Sequence, residues 1–234
     1  MRIGIIGAGM IGGTLARRLA QLGHQIAIAN SRGPETLRDF ASEVGATAVT
    51  ATEAARGGEM VVITIPERGV PALPRDLFSG VPANVVVIDT GNYYPARDGR
   101  IPAIEQGQPE SAWVAGQIGR PVIKAFNNIY FTSLLEKGRP KGAPDRIALP
   151  VAGDPFEARE RVLHLVDELG FDPVDAGGIE ESWRQQPGTP CYTSNHNAVQ
   201  LKAALAAAER SRVPEYRKAA DDAAKAFFRT EPDR

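Results

Sequence analysis

Residues 3–22 change period partway, and few folds accommodate such a change. Residues 3–6 (IGII) are a short apolar run, whereas Ile11, Leu15, Leu19 and Leu22 recur at helical spacing before Gly23. That order predicts a strand, a turn and an amphipathic helix. The turn is Gly7-Ala8-Gly9-Met10-Ile11-Gly12, a G-x-G-x-x-G pattern. Alone the pattern is weak, but directly after a strand and at the start of a helix each glycine has a task. Gly7 makes the tight turn, Gly9 lets the backbone approach a pyrophosphate, and Gly12 lets the helix pack closely on the sheet. The helix N-terminus would offer free N–H groups to that anion.

The alternation continues. Residues 25–30 (QIAIAN) predict a second strand, and Pro34 opens a helix carrying Leu37, Phe40, Ala41 and Val44 inward until Gly45. Residues 47–49, 60–65 (MVVITI) and 85–89 (VVVID) are further strands. Strand and helix in alternation call for a parallel sheet covered on both faces. The second half is looser. Residues 122–126 (VIKAF), 147–152 (IALPVA) and 173–176 predict strands, and Pro155 opens a helix with Ala158, Val162, Leu165, Val166 and Leu169 inward. One later helix carries Ala198, Leu201, Leu205 and Ala208; another carries Tyr216, Ala220, Ala223 and Phe227. Residues 94–121 are rich in glycine, proline and polar residues without a sustained period, which predicts an irregular connector or lid. The charged residues 209–212 and the tail at 230–234 are expected to be solvated. The expected class is α/β, a Rossmann-type doubly wound, mostly parallel sheet. Residues 1–120 would bind the nucleotide, and residues 121–234 would form a small α/β and helical extension completing the sheet and the acceptor site.

Composition narrows the partners. With 43% hydrophobic and 24% charged residues and a net charge of -1, the chain is neither disordered nor a general nucleic-acid binder. Its one cysteine, Cys191, excludes an internal disulfide and fits a reducing compartment. The chain runs from Met1 straight into strand and has no apolar run of about 20 residues, so neither signal peptide nor membrane span is expected and the cytoplasm is the expected location.

Which dinucleotide binds depends on the end of the second strand, where a site selective for NAD offers a carboxylate to the ribose 2′-OH. Here the chain reads Asn30-Ser31-Arg32. A hydroxyl and a guanidinium suit a 2′-phosphate, which points to NADP. Ligands of open α/β sheets sit beyond the carboxyl ends of the strands. Three such ends stand out: Thr64-Ile65-Pro66, apolar enough to lie along a nicotinamide; Asp89-Thr90-Gly91-Asn92; and Ala125-Phe126-Asn127-Asn128, whose asparagines suit a carboxamide or a second ring. Asp89 is equally suited to capping a turn.

Catalytic groups are scarce. His24 and His164 are expected to be structural or solvent-facing, His196 to lie near a helix N-terminus, and Cys191 lacks an activating neighbour. No spacing fits a metal site. Lys124 is a conceivable proton donor to a carbonyl, but its place mid-strand makes packing or charge pairing the expected role. Hydride transfer to a conjugated ring needs orientation and exclusion of water more than a strong acid or base, so the catalytic residue is left unassigned.

Together Gly7–Gly12, Asn30-Ser31-Arg32, residues 122–128 (VIKAFNN), residues 149–154 (LPVAGD), Leu169-Gly170-Phe171 and Asp175-Ala176-Gly177 resemble the coenzyme F420-dependent NADP oxidoreductase family. The resemblance implies a dimer that moves hydride between NADPH and a deazaflavin, with F420 or a flavin as co-substrate. By position it puts Gly7, Gly9, Met10 and Ile11 at the pyrophosphate, Ser31 and Arg32 at the 2′-phosphate, and Ile65 and Pro66 at the nicotinamide. Asn127, Asn128 and Ile129 would border the second ring. Archaeal members using F420 carry a histidine at the position matched by Asn127. Two other readings stay open: a module that senses NADP(H) without turnover, and a hydroxy-acid dehydrogenase. The latter expects an asparagine four residues after a helical lysine, but Lys202 is followed there by Ala206.

Overall fold

Apolar residues alternate sides along the strands, so both faces of the sheet must be covered. In the computed structural model, which describes residues 1–230, they are. β1 (Arg2–Ile6), α1 (Met10–Gln21) and β2 (Gln25–Ala29) form the opening unit. A 3-10 turn (Pro34–Leu37) and α2 (Arg38–Val44) lead to β3 (Thr47–Ala48), α3 (Ala51–Gly57), β4 (Met60–Ile63) and β5 (Val86–Asp89). Three short helices follow, α4 (Pro95–Asp98), α5 (Pro102–Glu105) and α6 (Glu110–Ile118), then β6 (Ile123–Lys124) and α7 (Phe131–Glu136). The chain continues through β7 (Ala148–Gly153), α8 (Phe156–Glu168), β8 (Asp172–Asp175), α9 (Ala198–Ala207) and α10 (Val213–Thr230).

The sheet has eight strands in the order β3-β2-β1-β4-β5-β6-β7-β8. Neighbours are parallel except β6 and β7. This is the expected doubly wound, mostly parallel α/β fold. β6 pairs directly with β5, Asp89 opposite Lys124, so the sheet passes residue 120 without interruption. Ile3, Ile5, Met60, Val62 and Ile88 face one side, against Leu15 and Leu19 of α1 and Val162, Leu165 and Val166 of α8. Their neighbours Ile6 and Val61 face the other, against Ala54 and Ala55 of α3. The chain order reverses between β1 and β4, the place beyond the carboxyl ends of the strands where open α/β sheets hold their ligands.

Three expectations need correction. Residues 94–121 are not irregular: Ile104 of α5 and Trp113 and Val114 of α6 bury against Ile63 and Val87. Helices of four to nine residues, each opened by proline (Pro95, Pro102, Pro109), are too short to display a period. Leu22 is 41% exposed, because it lies past the last turn of α1 as its C-cap. On α10 the inward stripe is Tyr216, Ala220, Asp221, Ala224 and Phe228, while Ala223 and Phe227 face out. A polar contact sets that rotation, since Asp221 Oδ1 accepts the Ala96 N–H at 2.8 Å. Phe228 stacks edge-on against Tyr94 at 5.1 Å. Of the expected solvated tail, residues 231–234 lie outside the described residues. Among the described residues no helix is long and apolar enough to cross a membrane.

Candidate functional site

The glycine turn is built as its spacing requires. Gly7 has φ +116°, and a Cβ there would stand 2.1 Å from Thr64 O. A Cβ on Gly12 would stand 2.1 Å from Gly7 O and 2.6 Å from Thr64 Cγ2. Both positions therefore hold α1 tight against the ends of β1 and β4. Gly9 differs: a Cβ there would meet nothing within 4 Å, and its φ of -74° is ordinary. Gly9 itself is exposed, and its neighbours Ala8, Met10 and Ile11 are half-buried. Gly9 caps α1 without a side chain, the first turn carries no acid, and the first helical bond is Gly13 N–H to Gly9 O at 2.8 Å. The preceding amides thus point out of the helix end, where an anion is favoured.

At the end of β2 a short loop is held by its own polar groups. Asn30 Oδ1 accepts the Arg32 N–H at 2.9 Å, and Asn30 Nδ2 donates to Thr36 Oγ1 at 2.9 Å. Thr36 Oγ1 in turn donates to Gly33 O at 2.8 Å. Asn30 is therefore the brace, and Ser31 and Arg32 are the exposed groups it presents. The Arg32 guanidinium has no partner among the described residues. The loop's one acid, Glu35, has Oε1 2.4 Å from where a Gly33 Cβ would stand.

Beyond β4, Thr64, Ile65 and Pro66 are half-buried on the same rim as the glycine turn. At the end of β6, Ala125 N–H donates to Asp89 O at 3.2 Å, and Phe126 is buried with φ +62°, a left-handed conformation that is strained for a bulky residue. Asn127 follows, and its amide is engaged by the protein. Nδ2 donates to Asn92 Oδ1 (3.0 Å) and Gln185 O (2.7 Å), and Oδ1 accepts from Gln185 Nε2 (3.1 Å). Asn128 is buried with its Oδ1 lacking a partner.

Under this rim lies a buried ionic cluster that the spacing of charges in the sequence does not reveal. Lys124 Nζ donates to Gly91 O at 2.5 Å and lies 3.5 Å from Asp89 Oδ2 and 3.7 Å from Glu110 Oε2. Asp89 also accepts from Ser111 Oγ at 2.5 Å and from Gly91 N–H at 2.9 Å, so it does close the turn. Glu67 is fully buried, both carboxylate oxygens lack partners, and Oε1 sits 2.5 Å from where a Gly91 Cβ would stand. Burial, then repulsion from Asp89, raises the Glu67 carboxyl well above its usual range. Burial also lifts Glu110 to about 7 against the pull of Lys124. Burial would lower the Lys124 ammonium, but Asp89, Glu110 and Glu67 together outweigh it and raise it. Lys124 is charge-paired, as expected.

Elsewhere, His24 Nδ1 lies 3.2 Å from the Met1 amino group and His24 Nε2 lies 3.2 Å from Glu168 Oε1, and His164 is exposed on α8. His196 O accepts the Ala148 N–H at 2.8 Å, two residues before α9. Burial pushes the Cys191 thiol up to about 11, which disfavours a nucleophilic thiolate. A cavity of about 330 Å³ is lined by Arg18, Arg139, Arg146 and Asp167, and one of about 300 Å³ lies by the N-terminal ends of β5 and β6. The first is lined by arginines already employed: Arg18 donates to Leu134 O, Leu135 O and Leu169 O, which ends α7 and α8, and Arg146 binds Asp167 and Asp172.

Sheet order and glycine turn define a Rossmann-type α/β fold. Residues 2–93 match the model of the family described as NADP oxidoreductase, coenzyme F420-dependent, in the segment that carries the glycine turn and the Asn30-Ser31-Arg32 loop. The protein YjhV of Escherichia coli K12, itself provisionally named, is 43% identical over 99 residues, 41% of this chain and 65% of that protein. This chain therefore spans just under two thirds of that relative. A hypothetical protein from Sinorhizobium meliloti has the same fold, with TM-score 0.69, 28% identity, and coverage of 84% of this chain and 95% of that one. A protein from Arthrobacter sp. FB24, provisionally named an F420-dependent NADP-reductase, superposes with TM-score 0.62 at 24% identity over 76% of this chain and 86% of its own.

Proposed function

We propose that this chain is an NADP(H)-dependent oxidoreductase that passes a hydride between NADPH and a flat, conjugated ring acceptor of the deazaflavin (F420) or flavin class. The observation that carries the reading is the pairing of an open, uncapped α1 N-terminus over Gly9 with an exposed, unpaired Arg32 at the end of β2. The first suits a pyrophosphate and the second an additional phosphate on the adenosine ribose. The match of residues 2–93 to the model of an NADP oxidoreductase family supports the same reading.

The dihydronicotinamide of the bound nucleotide would supply the hydride. The protein's own part is to bind and orient. The amides of Met10 and Ile11 and the backbone at Gly9 would hold the pyrophosphate, with Gly7 and Gly12 fixing that turn. Ser31 and Arg32 would grip the 2′-phosphate, braced by Asn30. Thr64, Ile65 and Pro66 would form an apolar wall that excludes water from the nicotinamide. Ala125, Asn127 and Asn128 would border the acceptor, with Asn128 Oδ1 free to accept a hydrogen bond. Such transfer requires neither a nucleophile nor a metal from the protein. A second copy of the chain as partner belongs to this proposal, as does the absence of nucleic-acid and membrane partners.

Calorimetric titration with NADPH and NADH tests the cofactor assignment. The expected result is a clear preference for NADPH that Arg32→Ala reduces by roughly 10- to 100-fold, the loss of one or two charge-assisted hydrogen bonds. Equal affinity for the two nucleotides, or an unchanged preference in the variant, overturns it. Rapid mixing of the NADPH complex with F420, FMN and quinones tests the acceptor. Tight binding with no oxidation by any of them would favour a sensing module. Lys202 is exposed on α9, which gives no support to a hydroxy-acid dehydrogenase.

A further inference from the structure

Glu67, Asp89, Glu110 and Lys124 bring three carboxyl groups and one ammonium into a space that solvent does not reach. Lys124 can balance one carboxylate. A second buried negative charge is opposed by desolvation, so the cluster retains protons at neutral pH. Its geometry ties it to the cofactor rim. Glu67 directly follows Pro66, and Asp89 sits in register with Ile63 of β4 and with Lys124 of β6. Gly91 separates Glu67 from Asp89 and accepts from Lys124. The cluster thus underlies the carboxyl ends of three adjacent strands, on the side where Ile65 and Pro66 would meet the nicotinamide.

The two redox forms of the nucleotide differ in that ring's charge: it is cationic in NADP+ and neutral in NADPH. We propose that this buried cluster sets the relative affinity for the two forms, releasing a proton when the ring is cationic and keeping it when the ring is neutral. The proposal rests on the NADP(H) reading above. No contact between cluster and ring is needed, because a field between buried charges is little screened by salt. Unit charges about 10 Å apart at an effective dielectric of about 20 change an equilibrium by roughly tenfold.

Glu110 is the member placed in the accessible range, with its carboxyl raised to about 7, whereas burial and repulsion from Asp89 push Glu67 well above the usual carboxylate range. Other charges facing them are committed. Asp98 pairs with Arg97 at 2.9 Å, Glu105 with Arg100 at 2.8 Å and Glu181 with Arg184 at 2.6 Å. Arg68 donates to Arg97 O at 3.1 Å, and Arg217, which draws the Glu110 carboxyl down, donates to Ile104 O at 3.1 Å. Burial raises the neighbouring phenols of Tyr94, to about 12, and Tyr192, well above its usual value, so both stay neutral. Ionised Glu110 favours the cationic ring, so affinity for NADP+ relative to NADPH rises with pH through the neutral region. The nucleotide 2′-phosphate also titrates near pH 6, but it is common to both forms and cancels in the ratio.

The test is the ratio of dissociation constants for NADPH and NADP+ measured from pH 6 to pH 8.5. The expected ratio shifts by roughly tenfold towards NADP+ in the wild type, is flat in Glu110→Gln, and keeps its slope in Glu67→Gln, whose amide mimics the acid. A flat wild-type ratio, or a slope that survives Glu110→Gln, overturns the proposal. Should Glu110→Gln fail to fold, wild-type calorimetry in two buffers of different ionisation enthalpy decides. Near pH 7, NADP+ binding is expected to release more protons than NADPH binding, and equal release overturns the proposal. Failure of both nucleotides to bind would instead sink the NADP(H) reading itself.

Discussion

Methyl groups added at Gly9 and at Gly12 distinguish a glycine kept for a ligand from one kept for the fold. At Gly9 the free protein has room: φ is -74°, ψ is -164°, and no atom lies within 4 Å of the new Cβ. Gly9→Ala should therefore leave stability within about 1 kcal/mol of the wild type, on the stabilising side if the unfolded chain loses freedom. The same methyl stands where a pyrophosphate would approach the α1 amides. Losing one or two hydrogen bonds to a charged group costs about 3 kcal/mol, or roughly 100-fold in affinity. At Gly12 the new Cβ would overlap Gly7 O at 2.1 Å and Thr64 Cγ2 at 2.6 Å. Since the nearer contact is backbone, α1 itself must shift, at a cost of about 3 kcal/mol or a fall in Tm of roughly 6–12 °C. Thermal and urea unfolding with and without NADPH read both effects. With nucleotide at about 100 times the wild-type Kd, the wild type should gain about 2.7 kcal/mol and Gly9→Ala only about 0.4 kcal/mol. Full nucleotide stabilisation of Gly9→Ala, or wild-type melting of Gly12→Ala, would refute the assignment of these two glycines.

Two further outcomes follow from buried polar groups. Asn127→Ala leaves Gln185 Nε2, Gln185 O and Asn92 Oδ1 short of a partner and should cost about 2–4 kcal/mol in urea unfolding, so a loss below about 0.5 kcal/mol would contradict the network. The second concerns pH. The folded-state Glu110 carboxyl is raised from 4.5 to about 7, so its contribution is full below about pH 4.5 and is lost as pH rises through 7. Glu53, Glu59 and Glu105, all lowered, and Asp222, lowered to about 2, stay ionised in both states above pH 5 and do not mask this window. The free energy of unfolding should therefore fall between pH 5 and pH 8, with Glu67, raised in the same direction, adding to the slope and Glu110→Gln making the profile shallower; a level wild-type profile would show that the cluster is balanced without holding a proton.

The amino-acid order determined the elements that depend on neighbours in the chain. Residues 3–22 carry a strand period, then glycines, then a helical period, and that local pattern is sufficient to specify β1, the turn and α1. The buried alternation of residues 60–65 and 85–89 similarly marks β4 and β5, and the Asn30-Ser31-Arg32 loop presents the two side chains the sequence singles out. Local pattern did not specify α4, α5 and α6, each too short to repeat a period, nor the facing side of α10, which the bond from Ala96 to Asp221 selects over a more apolar alternative. Nor could it join Glu67, Asp89, Glu110 and Lys124. Only the parallel register of β4, β5 and β6, with α6 folded across their ends, brings these four together, and their protonation follows from the burial that packing imposes. Periodicity is a property of consecutive residues, whereas desolvation and charge pairing belong to atoms that are distant in the chain and meet only when the sheet is complete.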